Sequence, residues 1–357
     1  MRQDGGMVHQ LLIGTYTESL PHVDGHAEGL LAATFDGAAV SPAGVAAFLE
    51  NPSWIAVGPG ARTVYAVEET GPDGSVTAFS REGGGALLPS GRESAGGSSP
   101  AHLAVHPSGR FLLVGSYGSG TVSVWSLDAE GMPLERTAFV QHEGSGPDPE
   151  RQEGPHVHQL SVDPVTGDLV VVDLGLGEVR WYAFSEEGCL TLRPEATVVT
   201  GGAGPRHLAF HPDGGHAFLV NELESTVAVL RRGADGRFRL AGAASTRAPG
   251  ADGPNFPAAV RVTGDGRTVL VSNRGDDTIA VFAFDGAESR LRLATFAPAG
   301  GRSPPPPDLV LTPEGDRVLV SCQDSDRVTV FAFDPETRAL TWLSDNAVPT
   351  PVCVVVL

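Results

Sequence analysis

Four residues have types and spacing suited to acid–base and anion-binding chemistry: His158 in PHVHQ, Arg206 in GPRHL, Glu222 in VNEL and Arg274 in SNRG. An imidazole or a carboxylate can take a proton from water. Two guanidinium forks can hold a phosphate or a developing oxyanion in a bidentate grip. The formal net charge is −19, so arginines at such positions need an anionic partner. His102, His156, His207, Tyr117 and Asn273 fall beside the same positions and are expected to contact a small-molecule substrate. No G-x-S-x-G nucleophile motif is evident, which favours direct attack by water over a covalent intermediate.

The elements that must position these residues are read from a repeat. Each copy has a proline, a short apolar strand, a Pro/Asp-Gly turn, a second apolar strand, a polar break, then a third strand ending in an aromatic pair. Copies run from Asn51 (NPSWIAVGPGARTVYAVEE), Ser99 (SPAHLAVHPSGRFLLVGSYGSG), Gly154, Gly204, Asn255 and Pro306. Their leading prolines, at 52, 100, 155, 205, 257 and 307, lie 48, 55, 50, 52 and 50 residues apart. That period suits four-stranded propeller blades. A seventh copy is split: TPVCVVVL from Thr350 supplies a leading proline and first strand, and LLIGTYTES and GLLAATFD supply the second and third. The expectation is an all-β, seven-bladed β-propeller over residues 1–357, a single domain with one blade closed by N- and C-terminal strands. The acidic, proline-rich stretch from Gln141 to Pro155 reads as a long loop.

In a blade the first strand lines the central channel and the second runs antiparallel to it. The start of the one and the end of the other therefore share a mouth. His158 falls in the register of Arg206, and His102 in that of His207. The second strands end at Thr15-Tyr16, Glu68-Glu69, Ser116-Tyr117, Asp173-Leu174, Asn221-Glu222, Asn273-Arg274 and Cys322-Gln323. Convergent His, Arg and Glu around a concavity is the usual pattern of a small-molecule site. Plainer readings exist beside this one. His106 and His211 precede turn prolines and read as turn residues; His102 and His207 can be structural; Asn221 and Asn273 can close turns through side-chain bonds to backbone.

Composition sets further bounds. An acidic chain of pI about 4.9 argues against nucleic acid and anionic membranes as partners. The three cysteines, Cys189, Cys322 and Cys353, suggest neither disulfides nor zinc, and each reads as a buried free thiol. The N-terminal MRQDGGMVHQ lacks the features of a signal peptide, so a cytoplasmic location is expected. The sequence leaves the oligomeric state open.

Taken in order, NPSW, SPAHLAVHPSGRFLLVGSYGSG, PHVHQ, GPRHLAFHP, VNE and VSNRG resemble the lactonase family of seven-bladed propellers, which includes bacterial 6-phosphogluconolactonase and fungal carboxymuconate-lactonizing enzymes. The fungal enzymes use a His, an Arg, a Glu and a second Arg in chain order, and His158, Arg206, Glu222 and Arg274 resemble those positions. The resemblance implies hydrolysis of a lactone such as 6-phosphoglucono-1,5-lactone, with His158 or Glu222 as base and no cofactor. Its alternatives are cycloisomerisation of a dicarboxylate, hydrolysis assisted by calcium on Asp173, Asn221, Glu222 and Asn273, and a non-catalytic binding propeller. Three departures stand out: Pro306-Pro307-Asp308-Leu309 replaces the family's Pro-Arg-Asp-Phe, Cys322 replaces an Asn, and Asp276-Asp277 stands where a His is common. One cationic group of the family's mouth is therefore missing, unless Arg302 compensates from the adjacent loop.

Overall fold

The computed structural model describes residues 8–82, 86–299 and 308–357. Among these, seven antiparallel blade sheets follow one another, each with its strands hydrogen-bonded in the order of the repeat, beside a two-stranded ribbon of Ser19–Leu20 and Val23–Asp24. The fourth blade's outer strand is broken in two, Leu190–Leu192 and Val198–Val199, by a turn at Pro194–Ala196. The closing blade joins Pro351–Val356 to His9–Thr15, then Leu30–Phe35 and Val40–Ala47, as the split repeat implied. Leu11, Leu12 and Ile13 sit opposite Val356, Val355 and Val354. No helix among the described residues is long and apolar enough to cross a membrane.

The second strand of each blade is a continuous apolar run because neighbouring blades cover both its faces. Thr63–Glu68, Phe111–Ser116, Leu169–Asp173 and His216–Asn221 are buried at every position. The apolar core is accordingly a series of layers between blades. Val170 and Val172 of the fourth blade pack with Leu208 and Leu219 of the fifth, and Leu319 and Val330 of the seventh pack with Leu11 and Ile13 of the closing blade. The shared glycine of LLIGTY and LLVGSY reflects this crowding. A Cβ on Gly14 would lie 2.4 Å from the Pro52 carbonyl oxygen, and one on Gly115 would lie 2.8 Å from Val157 Cγ1.

The first strands carry the feature that matters for the site. In the fifth blade Pro205 faces Asn221 and His207 faces Val220, which leaves Arg206 as an extra residue. His158 is left over in the same way between Val157 and Gln159, and Ala101 between Pro100 and His102. Each is a β-bulge, and a bulge re-aims a side chain next to a site. The equivalence of His158 and Arg206 expected from the sequence is therefore a shared bulge position.

Two expectations meet different fates. Cys322 and Cys353 are buried thiols, but Cys189 is exposed: it stands beside the short outer strand of the fourth blade rather than in an inter-blade layer. Pro306, Pro307 and Arg302 lie outside the described residues.

Deleting residues 351–357 removes the buried Val352, Cys353 and Val354 and leaves the His9–Thr15 edge unpaired. At ~1.5–3 kcal/mol per buried apolar side chain, the loss is on the order of 5 kcal/mol. The truncated chain should unfold at a markedly lower temperature in calorimetry; an unchanged melting temperature would contradict the closure.

Candidate functional site

Glu222 follows the last residue of the strand His216–Asn221, and its backbone N–H donates to the Gly204 carbonyl at 2.7 Å. Its side chain is only 3% exposed and meets three guanidinium groups. Arg151 Nη2 donates to Oε1 at 2.6 Å, Arg206 Nε lies 3.1 Å from Oε2, and Arg274 Nη2 donates to Oε2. Arg206 also donates from Nη1 to the Ala258 carbonyl at 2.8 Å. Burial alone would raise the Glu222 carboxyl, but Arg274, Arg206 and Arg151 together hold it well below the ordinary glutamate range. Arg206 pulls the other way: burial and the neighbouring Arg274 bring it down to about 10, against the attraction of Glu222.

His158 stands between Tyr117 and His207, with ring centroids 5.6 and 5.2 Å away. Its Nδ1 is buried with no hydrogen-bond partner. Burial, then the field of Arg206, lowers its pKa well below 6.5 against the pull of Glu222, so the ring is neutral at pH 7. The four residues expected at one mouth thus gather there: Arg206 and Arg274 contact Glu222 directly, and all three act electrostatically on His158.

The remaining expected contacts divide. Tyr117 faces the site, edge-on to His158 and within electrostatic reach of Arg151 and Glu222. His102 and His207 lie at the step after the bulge, edge to face with ring centroids 6.1 Å apart, with the Trp54 ring 4.5 Å from His102. His102 is buried and pushed down to about 3 by burial, then by Arg261 and Arg206. Its Nδ1 accepts the Leu160 N–H at 3.4 Å, which ties the third blade to the fourth. That bond occupies His102 Nδ1. His156 and Asn273 are engaged likewise. The His156 ring stacks on Tyr117, with Nδ1 against the Tyr117 carbonyl at 2.9 Å and Nε2 against Glu153 at 3.2 Å. It buttresses the wall from behind. Asn273 is fully buried and its amide is consumed by the Thr246 carbonyl, Thr278 and Asn255.

Arg151 was not foreseen, because it comes from the long loop rather than from the repeat. That loop is fixed at both ends. His142 bonds Asp173 at 2.6 Å and Tyr182 at 2.8 Å, and Gln152 donates to the Leu174 and Gly201 carbonyls at 2.8 and 3.1 Å. The Asp148 carboxylate accepts the Glu150 and Arg151 N–H groups between them.

Of the proposed calcium ligands, Asp173 accepts from His142 and from the His156 and Leu176 N–H groups, Glu222 is held by arginines and Asn273 Oδ1 accepts from Asn255, whereas Asn221 donates from its amide nitrogen to Thr226 and its Oδ1 is buried without a hydrogen-bond partner. Among the described residues one group has metal-ligand spacing, His211, Asp213 and His216, at the turn on the opposite side of the fifth blade. There His211 Nδ1 already accepts the Asp213 N–H at 3.0 Å, and the Asp213 carboxylate accepts the Gly215 and His216 N–H groups. This is a turn cap, as the sequence suggested for His211.

A family model described as "Lactonase, 7-bladed beta-propeller" matches residues 10–356. The 6-phosphogluconolactonase of Bacillus subtilis (strain 168) is 33% identical over 347 residues, 96% of each chain. A solved structure from Lactobacillus plantarum superposes with a TM-score of 0.90 at 32% identity, covering 98% of this chain and 100% of that one. The periplasmic gluconolactonase of Pseudomonas aeruginosa does so with a TM-score of 0.88 at 30% identity, covering 98% and 99%.

The Glu222 environment fixes the sign of a pH effect. A carboxyl depressed in the fold contributes stability that is present above its unfolded pKa, 4.5, and is lost as pH falls below it. Glu222→Gln leaves three arginines without their counter-charge and should cost about 3–5 kcal/mol at pH 7. The gap in melting temperature between wild type and variant should narrow as the pH is lowered through 4.5. A gap that widened on acidification would contradict the assignment.

Proposed function

The chain belongs to the seven-bladed β-propeller lactonase family, and from this premise we propose that it is a lactone hydrolase that opens a phosphorylated sugar lactone, 6-phosphoglucono-1,5-lactone, with water. The observation that carries this is the cluster of three arginines on the single Glu222 carboxylate, beside a neutral His158 whose Nδ1 has no partner. The surplus of guanidinium is an anion site in an otherwise acidic protein. The Bacillus subtilis relative's name and the Pseudomonas aeruginosa relative's name both describe lactonases, which supports the same reaction class.

His158 is assigned as the base because its ring is neutral and its Nδ1 has no hydrogen-bond partner, whereas both oxygens of Glu222 are engaged by arginines. The buried Nδ1 makes no hydrogen bond, so either tautomer of the ring forms without breaking one there. As water attacks the carbonyl carbon, His158 takes its proton and the carbonyl electron pair moves onto oxygen. Arg206 and Arg274 stabilise that oxyanion, Arg151 reaches the substrate's remote anionic group, and Glu222 holds all three guanidinium groups in place. The C–O bond to the ring oxygen then breaks, and the departing oxygen needs a proton. Glu222 is too acidic to give one.

The same cationic surplus would accept a dicarboxylate, so a lactonising cycloisomerase is the second reading. A panel of lactones and unsaturated dicarboxylates, assayed for ring opening and ring closure, separates the two. His158→Gln should lower kcat by roughly 10²–10⁴-fold with the fold intact. Arg206→Lys keeps the charge but loses the fork, and should cost on the order of 10²-fold. Full activity in either variant would remove the residue from the mechanism. Turnover should also survive chelation of divalent metals; restoration by calcium of an activity lost to chelator would return the calcium alternative.

A further inference from the structure

Glu69 and Glu222 occupy the same position in two repeats. Each follows the last residue of its blade's second strand, and each donates its N–H to the residue that begins the copy's first strand segment: Glu69 to the Asn51 carbonyl at 3.1 Å, Glu222 to the Gly204 carbonyl at 2.7 Å. Two residues beyond those carbonyls stand Ser53 and Arg206, and each side chain touches the carboxyl of its own blade. The repeat therefore puts two carboxyls on one mouth, one in the second blade and one in the fifth.

Their surroundings differ in kind. Glu222 is locked by three cations. Glu69 accepts from two neutral hydroxyls on Oε2, Tyr16 Oη at 2.9 Å and Ser53 Oγ, while its Oε1 is left open. The neighbouring Glu68 is turned away, held by Thr77 at 2.7 Å and by both sides of the Arg92 fork at 2.8 and 3.0 Å. The groups that face Glu69 are Tyr16 from the closing blade, Ser53 from its own, and Arg206 from across the mouth.

We infer that Glu69 is the general acid of this site, delivering a proton to the ring oxygen as the lactone opens. The inference rests on the lactonase reading above. Burial raises the Glu69 carboxyl above its ordinary value, against the pull of Ser53, Tyr16 and Arg206, so the two carboxyls are driven in opposite directions. Paired groups separated in this way mark an acid and its ionised counterpart. In the step itself the C–O bond breaks, its electron pair leaves on the ring oxygen, and the Glu69 O–H proton passes to that oxygen. Glu69 is left as a carboxylate held by Tyr16 and Ser53. The proton gained by His158 from water returns to Glu69 through solvent, and the product hydroxy acid ionises, so lactone and water give hydroxycarboxylate and one proton.

The test is the pH profile of the full-length enzyme and its Glu69→Gln and Glu69→Asp variants on 6-phosphoglucono-1,5-lactone, beside a ¹³C-carboxyl titration in which Glu69 is identified by its loss in Glu69→Gln. Glu69→Gln is isosteric and should lower kcat by roughly 10²–10⁴-fold with KM within about threefold, abolishing the alkaline limb of the profile. Glu69→Asp should recover at least about tenfold of that loss. The wild-type resonance should titrate above the ordinary glutamate value. A Glu69→Gln enzyme of near wild-type kcat, or a Glu69 that titrates at or below the ordinary value, overturns the acid assignment and leaves the lactonase reading standing. A wild-type protein inert on every lactone overturns the lactonase reading itself, and the acid role with it.

Discussion

One extra residue at the start of a channel-lining strand decides where the chemistry can happen. A strand in regular register alternates its side chains between its two faces. The bulges at Arg206 and His158 break that alternation at the mouth, so both reach the site while His207 and Gln159, one step on, stay buried in the ring. Gln159 Oε1 accepts the Leu208 N–H at 2.5 Å and His102 Nδ1 accepts the Leu160 N–H, so the step after the bulge stitches one blade to the next. The functional and the structural side chains are thus adjacent in sequence and separated in work by a single backbone irregularity.

From that frame the same position can be given opposite electrostatics by changing its neighbours. Arg206 at the bulge, Arg274 from the next blade and Arg151 from the loop make the post-strand glutamate of the fifth blade a permanent anion. Ser53 from its own blade and Tyr16 from the previous blade leave that of the second blade a carboxyl that burial raises above its ordinary value. No difference in backbone is needed, because the hydrogen bonds that seat Glu69 and Glu222 are the same. A repeat fold is suited to such divergence, since each blade contributes to the mouth through a few residues whose packing partners lie on other blades.

What the sequence made legible follows the same division. The ring, its closure by the two ends of the chain and the shared register of His158 and Arg206 were readable because prolines and Gly turns mark every copy, so registers could be counted. The counting also placed Glu69, Tyr16 and Tyr117 at the strand ends, but not their environments. Arg151 was illegible because its loop belongs to no repeat and is held by His142 and Gln152, which reach partners in the fourth blade and just past it. The register of Asn273 and His156 was readable, but the partners that engage them were not. A register fixes a side chain's place, whereas its hydrogen-bond partners, Thr246 and Glu153 among them, come from segments whose approach only packing decides. Choosing between His158 and Glu222 as the base likewise required the number of arginines on the carboxylate.

The overall charge of −19 and the cationic mouth act at different ranges. Exposed charges fade over a Debye length of about 8 Å at physiological ionic strength, so the acidic surface repels an anion only weakly from afar. Within the mouth the arginines are partly desolvated and screened much less, so an anion is attracted there more strongly than by the surface charges. Every cation of the chain is an arginine, for the sequence contains no lysine. At a site where one carboxylate must be shared by three cations, the planar fork matters: Arg206 contacts Glu222 through Nε and the Ala258 carbonyl through Nη1, and still presents further N–H groups. A compact ammonium could satisfy Glu222 or face a substrate, but it could not be anchored on two protein groups and keep donors in a fixed plane for a third. The buried anion is therefore what lets three cations share the mouth, since without Glu222 the three guanidinium groups would repel one another out of the arrangement they hold around it.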